Sequence, residues 1–227
     1  MYDPTKPHRR SIRLEGYDYA NANAYFITIC VNERRCLFGD VIADEMRLND
    51  IGQMIETEWK GLVDRFPPVI LDQFAVMPNH VHGIVGLDGT GGRGEADLRP
   101  LRRANSEKGE DQLRPYGTTP DSLGRVVQAF KSITTNAYIG GVKSRDWPRF
   151  NKHFWQPNYY EHIIRHNRSL DAIREYIFTN PQRWAADREN PLGDGTDDVE
   201  AFIRSIDLPS TRTGEHEVRP YGGGRAI

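Results

Sequence analysis

The run at 78–85, Pro78-Asn79-His80-Val81-His82-Gly83-Ile84-Val85, has the residue types and spacing best suited to chemistry. In an extended chain successive side chains alternate between faces, so His80 and His82 share one face and Val81 takes the other. Two imidazoles placed this way can grip one cation through their ring nitrogens. They sit among apolar strand residues, where polar groups are costly unless they are used. Such a pair is also met as plain core or surface histidines, so a third ligand and a reacting group must come from elsewhere. The run at 174–181 offers both. Residues four apart share a helix face, which points Tyr176 and Asn180 the same way. Pro181 disfavours helical backbone at Asn180, so the helix ends or kinks there and the amide is free to turn toward a cation. Tyr176 also neighbours Ile173 and Ile177, and a half-buried core tyrosine is the competing reading.

These residues need a scaffold. Residues 25–31 are β-branched and aromatic and read as a buried strand, with a second short strand around 41–48. Asn49 then caps a helix whose apolar positions, Ile51, Met54, Ile55, Trp59, Leu62 and Val63, follow the 3.6-residue period until Pro67-Pro68 stops it. Residues 69–77 and 80–87 read as two strands joined at Met77-Pro78-Asn79. Helices are expected at about 122–139 and 168–189, with an aromatic segment at 150–164 between them. This order gives an α+β class, an antiparallel sandwich rather than a doubly wound sheet. Residues 88–120 are rich in Gly, Arg, Glu and Asp and read as a flexible insertion. Residues 190–227 are acidic and then Gly-rich, and read as a mostly disordered tail. These two stretches share a repeat: Gly94 to Pro100 recurs as Gly109 to Pro115 and again as Gly214 to Pro220. Seven residues are too few for a solenoid unit. The copies are either low-complexity drift or a repeated DNA element translated in frame.

The chain has 227 residues and 26.0 kDa, with 37% hydrophobic and 27% charged residues and a mean hydropathy of −0.67. That suits one domain with solvated additions. No apolar run approaches the ~18–20 residues of a membrane span, and the polar, basic start at 1–13 is not expected to be a secretory signal. Two cysteines, Cys30 and Cys36, make no disulfide framework and no zinc ribbon, and they point to a reducing cytoplasm. The net charge of −2 hides an asymmetry. Residues 121–170 hold eight Lys/Arg against three acids, a local +5, and residues 187–217 hold nine acids against three arginines, a local −6. Phosphate recognition responds to the local field.

Taken together, Met77-Pro78-Asn79-His80-Val81-His82, Phe154-Trp155-Gln156, Tyr160-Glu161-His162 and Glu175-Tyr176 through Asn180-Pro181 resemble the REP-associated tyrosine transposases. These are single-tyrosine transposases of the HUH nuclease superfamily, acting on single-stranded DNA. The resemblance covers about 14–189 and leaves out the insertion and the tail. It implies a ferredoxin-like α/β sandwich with the histidine pair on a central strand and Tyr176 on a facing helix. It also implies cleavage beside imperfect DNA hairpins, with Mg²⁺ or Mn²⁺ held by His80, His82 and Asn180, and Tyr176 keeping the 5′ end as a phosphotyrosine. It further implies a bacterial cytoplasmic protein at the nucleoid and leaves room for a homodimer.

The chemistry suits those residues. A cation on a non-bridging oxygen lowers the repulsion a phosphodiester offers to attack, and two imidazoles with an amide oxygen are a softer set than an all-oxygen Mg²⁺ site. Tyrosine ionises only near pH ~10, so the phenol needs a cationic neighbourhood. Tyr160, in the aromatic segment, is the rival nucleophile. Arg125, Lys131, Arg149, Lys152 and Arg165 are candidates for phosphate contact, and Trp155 for stacking on an unpaired base. A binder of DNA hairpins without chemistry, and a phosphodiesterase without a covalent intermediate, are the two alternatives.

Overall fold

The computed structural model describes residues 23–87 and 122–207. The insertion foreseen over 88–120, the first 22 residues and residues 208–227 lie outside them. Strand β1 (Asn23–Cys30) is followed by a short hairpin of β2 (Gly39–Ile42) and β3 (Glu45–Leu48), then helices α1 (Asp50–Lys60) and α2 (Leu62–Arg65). Strands β4 (Val69–Val76) and β5 (His80–Leu87) come next. Helix α3 (Leu123–Ser144), strand β6 (Tyr160–Ile164), helix α4 (Asn167–Phe178) and helix α5 (Val199–Asp207) complete the order.

The main sheet is antiparallel with strand order β4-β5-β1-β6. With α1 between β1 and β4 and α3 between β5 and β6, this is the β-α-β-β-α-β order of a ferredoxin-like sandwich. The expected α+β class and central antiparallel sheet are therefore what the chain adopts. The single strand expected at 41–48 is instead a hairpin, turned at Ala43 and Asp44 with positive φ of 51° and 63°. Two residues in that region match the right-handed twist of the flanking strands.

Alternation along the strands sorts the two faces. Tyr25, Ile27 and Ile29 of β1 and Val81 and Val85 of β5 join the large core under α1 and α3. Phe26 and Ile84 face the other way, into a second cluster with Ile173, Tyr176 and Ile177 of α4 and Ile203 of α5. The sheet is thus covered on both sides. On the first side Trp59 stacks on Phe74 at 4.4 Å between ring centroids and 8° between planes. It lies flat against Gly83, where a Cβ would come within 2.4 Å of the indole. On the second side the β4 ladder is irregular between Leu71 and Phe74. Asp72, in that irregularity, accepts a forked pair from Arg174 of α4 at 2.6 and 2.9 Å.

Helix α3 runs past the expected 139 to Ser144, and the Trp147 ring closes on Gly141, where a Cβ would clash with it. The helix expected to reach 189 ends at Phe178, and Asn180–Arg183 form one 3₁₀ turn led by Pro181. The tail expected to be mostly disordered from 190 is structured as far as 207. There α5 buries Ile203 and packs on α4, an amphipathic stripe sufficing where overall composition is polar.

Candidate metal and nucleophile site

β1 and β5 pair so that Thr28 lies opposite His82 and Cys30 opposite His80. Both histidines are buried, at 0% and 2% exposure. The turn before β5 fixes the first ring. Asn79 Nδ2 donates to the carbonyls of Arg34 (2.9 Å) and Glu189 (2.7 Å), which leaves Oδ1 to accept from His80 Nδ1 at 2.9 Å. Assigned from that network, the His80 proton sits on Nδ1 and the lone pair on Nε2. Thr28 Oγ1 holds His82 Nδ1 at 2.8 Å. The two Nε2 atoms stand 3.0 Å apart, at hydrogen-bond distance; with the His82 proton on Nδ1, donated to Thr28, both lone pairs would be free to meet one ion.

Asp187 completes the group. Its Oδ2 lies 3.7 Å from His80 Nε2, is buried, and has no hydrogen-bond partner. The ligand atoms of His80, His82 and Asp187 all lie within 4.8 Å of one another. This set fits a divalent cation on three counts. Two nitrogens about 2.1 Å from one ion and at a right angle to it stand about 3.0 Å apart. The carboxylate oxygen is orphaned. Burial also pushes His80 down to about 4, Glu189 opposing, and holds His82 well below its usual value, so both rings are neutral ligands at pH 7. Burial pushes the Asp187 carboxyl up to about 6, against the Glu189 N–H, Arg183 and Arg34.

Tyr176 stands beside this group, its ring edge-on to His82 at 5.6 Å between centroids. It is 3% exposed, set edge-on to Phe26, with the Arg183 guanidinium 4.8 Å from its ring centre. Burial pushes its phenol upward, with Asp197 and Asp187 adding to the effect. Arg183 opposes, and so does Asn180 from close range without reaching hydrogen-bond geometry. Asp197 Oδ1 accepts from Arg183 at 2.6 Å, while its buried Oδ2 has no partner. A cleft of about 180 Å³ opens here, lined by Thr28, His82, Tyr160, Tyr176, Asp187 and Asp197 among others.

Asn180, expected as third ligand, is fully buried, and neither amide heteroatom has a hydrogen-bond partner. Sequence reasoning missed Asp187, which follows the 3₁₀ turn in irregular backbone where no periodicity points to it. The rival Tyr160 lies opposite Thr28 on β6, at the same cleft.

The proposed DNA contacts fare unevenly. Arg149, Lys152 and Arg165 are exposed and Arg125 is half-buried on the first turn of α3. Lys131 turns inward instead: its Nζ donates to the carbonyls of Gln156 (2.8 Å) and Asn158 (3.0 Å), and burial pushes it down to about 8. Trp155 is a core residue, 5% exposed, with Nε1 donating to Thr134 Oγ1 at 2.9 Å and its ring against Phe38, Phe130 and Phe154. Its ring therefore offers no free face to a base. Cys30 and Cys36 are free thiols. Among the described residues no helix is long and apolar enough to cross a membrane.

No family model matches the chain. A solved REP-associated tyrosine transposase bound to a REP hairpin shares 18% identity, over 95% of this chain and 99% of that one, with a TM-score of 0.48. The fold assignment rests on the strand order and not on that overlap. An uncharacterized protein of Haemophilus influenzae is 41% identical over 184 residues, which are 80% of this chain and 92% of that protein. At that identity and coverage, this chain belongs to the same family as the Haemophilus influenzae protein.

Proposed function

We propose that this protein is a hairpin-directed nuclease and strand transferase of single-stranded DNA, of the REP-associated tyrosine transposase kind. One observation carries the reading: two buried, neutral imidazoles face each other at 3.0 Å with the Tyr176 ring against one of them. A hairpin binder without chemistry needs none of this arrangement. His80, His82 and Asp187 would hold a divalent ion, Mn²⁺ or Mg²⁺, with Asn180 as a further candidate ligand. Bound there, the ion supplies charge that offsets the phosphate's own.

The chain's own residues do the rest. The Tyr176 oxygen forms a bond to phosphorus as the bond to the 3′ oxygen breaks, which leaves a 5′-phosphotyrosine and a free 3′-hydroxyl. The phenol's proton passes to Asp197, whose Oδ2 lacks a partner, and the leaving 3′ oxygen takes one from water. Arg183 over the ring favours the developing phenolate. The phosphotyrosine keeps the energy of the cut bond, so rejoining needs no nucleotide cofactor. Exposed Arg149, Lys152 and Arg165 are the candidates for phosphate contact.

One observation favours a second reading, hydrolysis without a covalent intermediate: the Tyr176 ring is almost fully covered and its phenol is pushed away from ionisation. Incubating the protein with end-labelled single-stranded hairpins and Mn²⁺, then running a denaturing gel, separates the two. A denaturant-resistant adduct is the expected result. Cleavage without an adduct gives the hydrolase, and binding without cleavage gives the hairpin binder without chemistry.

A further inference from the structure

Three copies of one motif lie outside the described residues. Gly94-Glu95-Ala96-Asp97-Leu98-Arg99-Pro100, Gly109-Glu110-Asp111-Gln112-Leu113-Arg114-Pro115 and Gly214-Glu215-His216-Glu217-Val218-Arg219-Pro220 keep Gly-Glu at one end and Arg-Pro at the other. The middle pair differs in every copy. Two copies fall between the end of β5 at Leu87 and the start of α3 at Leu123, and the third follows α5, which ends at Asp207.

Fixed ends around a free middle have a meaning in DNA that they lack in a seven-residue peptide. The genetic code writes Gly-Glu as GGN-GAR, and Leu or Val followed by Arg-Pro as NTN-CGN-CCN when Arg uses its four-codon set. The choices GGC-GAA and NTT-CGC-CCN contain GGCGAA and TTCGCC, which are reverse complements. The first G of Gly meets the first C of Pro, and the first G of Glu meets the first C of Arg. Both pairs are set by the amino acids. Each of the other four pairs joins a base set by one amino acid to a free third-position base of another. A residue with a different fixed base would break the stem, and all three copies avoid one. Leu98 and Leu113 give way to Val218 at the one position where the exchange changes only a codon's first base, which lies just inside the loop. Arg93, Lys108 and Thr213, which precede the motifs, all have codons that can end in G. That base would add a pair with the second C of Pro. The variable codons and the first base of the Leu/Val codon form the loop.

We infer that the three motifs are translated copies of one palindromic DNA repeat with arms GGCGAA and TTCGCC, and that its hairpin is the substrate of the His80–His82–Tyr176 site. This rests on the hairpin-processing function proposed above. A 5′-phosphate held on Tyr176 passes to the 3′-hydroxyl of an acceptor strand, the hydroxyl's proton returns to the phenol, and the repeat is joined to new DNA. Two of the copies fall in the connection between β5 and α3, and the third follows α5.

Two measurements test this. In the coding DNA, at least five of the six arm pairs should form in every copy, and codons that leave two copies without complementary arms overturn the inference. The full-length protein should also bind a single-stranded GGGCGAA/TTCGCCC hairpin, with the loop of its own coding sequence, about tenfold or more tighter than a CCCGCTT/AAGCGGG hairpin of equal composition. Equal binding overturns the inference. Selection from a library with randomised arms decides what else fails. If other arms are enriched, this substrate is wrong and the nuclease reading stands. If no hairpin is bound, cut or trapped, both are wrong.

Discussion

Phe202 of α5 lies nearly parallel to Tyr176 of α4, 4.7 Å between ring centroids and 21° between planes. The contact covers the ring that the proposed reaction must present to DNA. Phe202→Ala removes that cover and weakens the docking of α5 by about 3 kcal/mol at most, while the sheet and α4 keep their own contacts. Adduct formation with a hairpin and Mn²⁺ is expected to speed up several-fold. An unchanged rate, with the variant's melting otherwise intact, shows that α5 does not shield the phenol.

Tyr176→Phe keeps the ring against Phe26, His82 and Phe202 and removes one oxygen. Stability should change by no more than about 0.5–1.5 kcal/mol, and hairpin binding should persist. Both cleavage and adduct should disappear, whereas Tyr160→Phe should keep them. Adduct in Tyr176→Phe and none in Tyr160→Phe moves the nucleophile to β6.

The ion site makes a prediction about pH. Asp187 is raised to about 6 in the fold, so its contribution to stability is fully present below its ordinary 3.8 and is lost as pH rises through about 6. His80 is depressed to about 4, so its contribution is present above 6.5 and is lost as pH falls through about 4. At pH 7 the fold therefore carries an ionised, buried carboxylate that a cation relieves. Mn²⁺ should raise Tm at pH 7.5, and its apparent affinity should fall about tenfold per unit below pH 6 as one proton competes. Asp187→Asn should lose the Mn²⁺ response and melt no lower without metal, because it removes a buried charge that the Glu189 N–H, Arg183 and Arg34 compensate only in part. A full Mn²⁺ response in Asp187→Asn excludes Asp187 as a ligand.

Trp155 makes the opposite kind of prediction, about stability and not about DNA. Trp155→Phe loses the bond to Thr134 Oγ1 and part of a buried ring, and should cost about 1–3 kcal/mol in urea melts. Hairpin affinity of the folded protein should be unchanged. A large loss of affinity at unchanged stability restores the stacking role.

The parts legible in the sequence are those set by a period. Alternation put His80 and His82 on one face of a strand, and the helical repeat put Tyr176 on α4, although that helix ends at Phe178 and leaves Asn180 to a separate 3₁₀ turn. The order of strands and helices was enough for the sandwich. What escaped lies where no period operates. Asp187 comes after a 3₁₀ turn, and its carboxylate reaches His80 only through the fold of irregular backbone. Lys131 and Trp155 looked like DNA contacts because of their types, but carbonyls at 156–158 and the hydroxyl of Thr134 draw them inward. The hairpin at 39–48 turns on Ala43-Asp44, not on one of the glycine turns that announce hairpins.

The site draws its two imidazoles from β5 and its carboxylate from Asp187, with Glu189 two residues further accepting from Asn79 and pairing with Arg34 at 3.1 Å. A chain leaving the ribosome therefore carries its histidines long before it carries the groups that complete and brace them. Translation proceeds at roughly 5–20 residues per second, so several seconds separate β5 from Asp187. For most of that time the nascent chain has β1, β4 and β5 but lacks β6 and the carboxylate of the proposed ion site. If the proposed activity holds, a chain still being made cannot cut the DNA beside it until Asp187 and Glu189 have emerged.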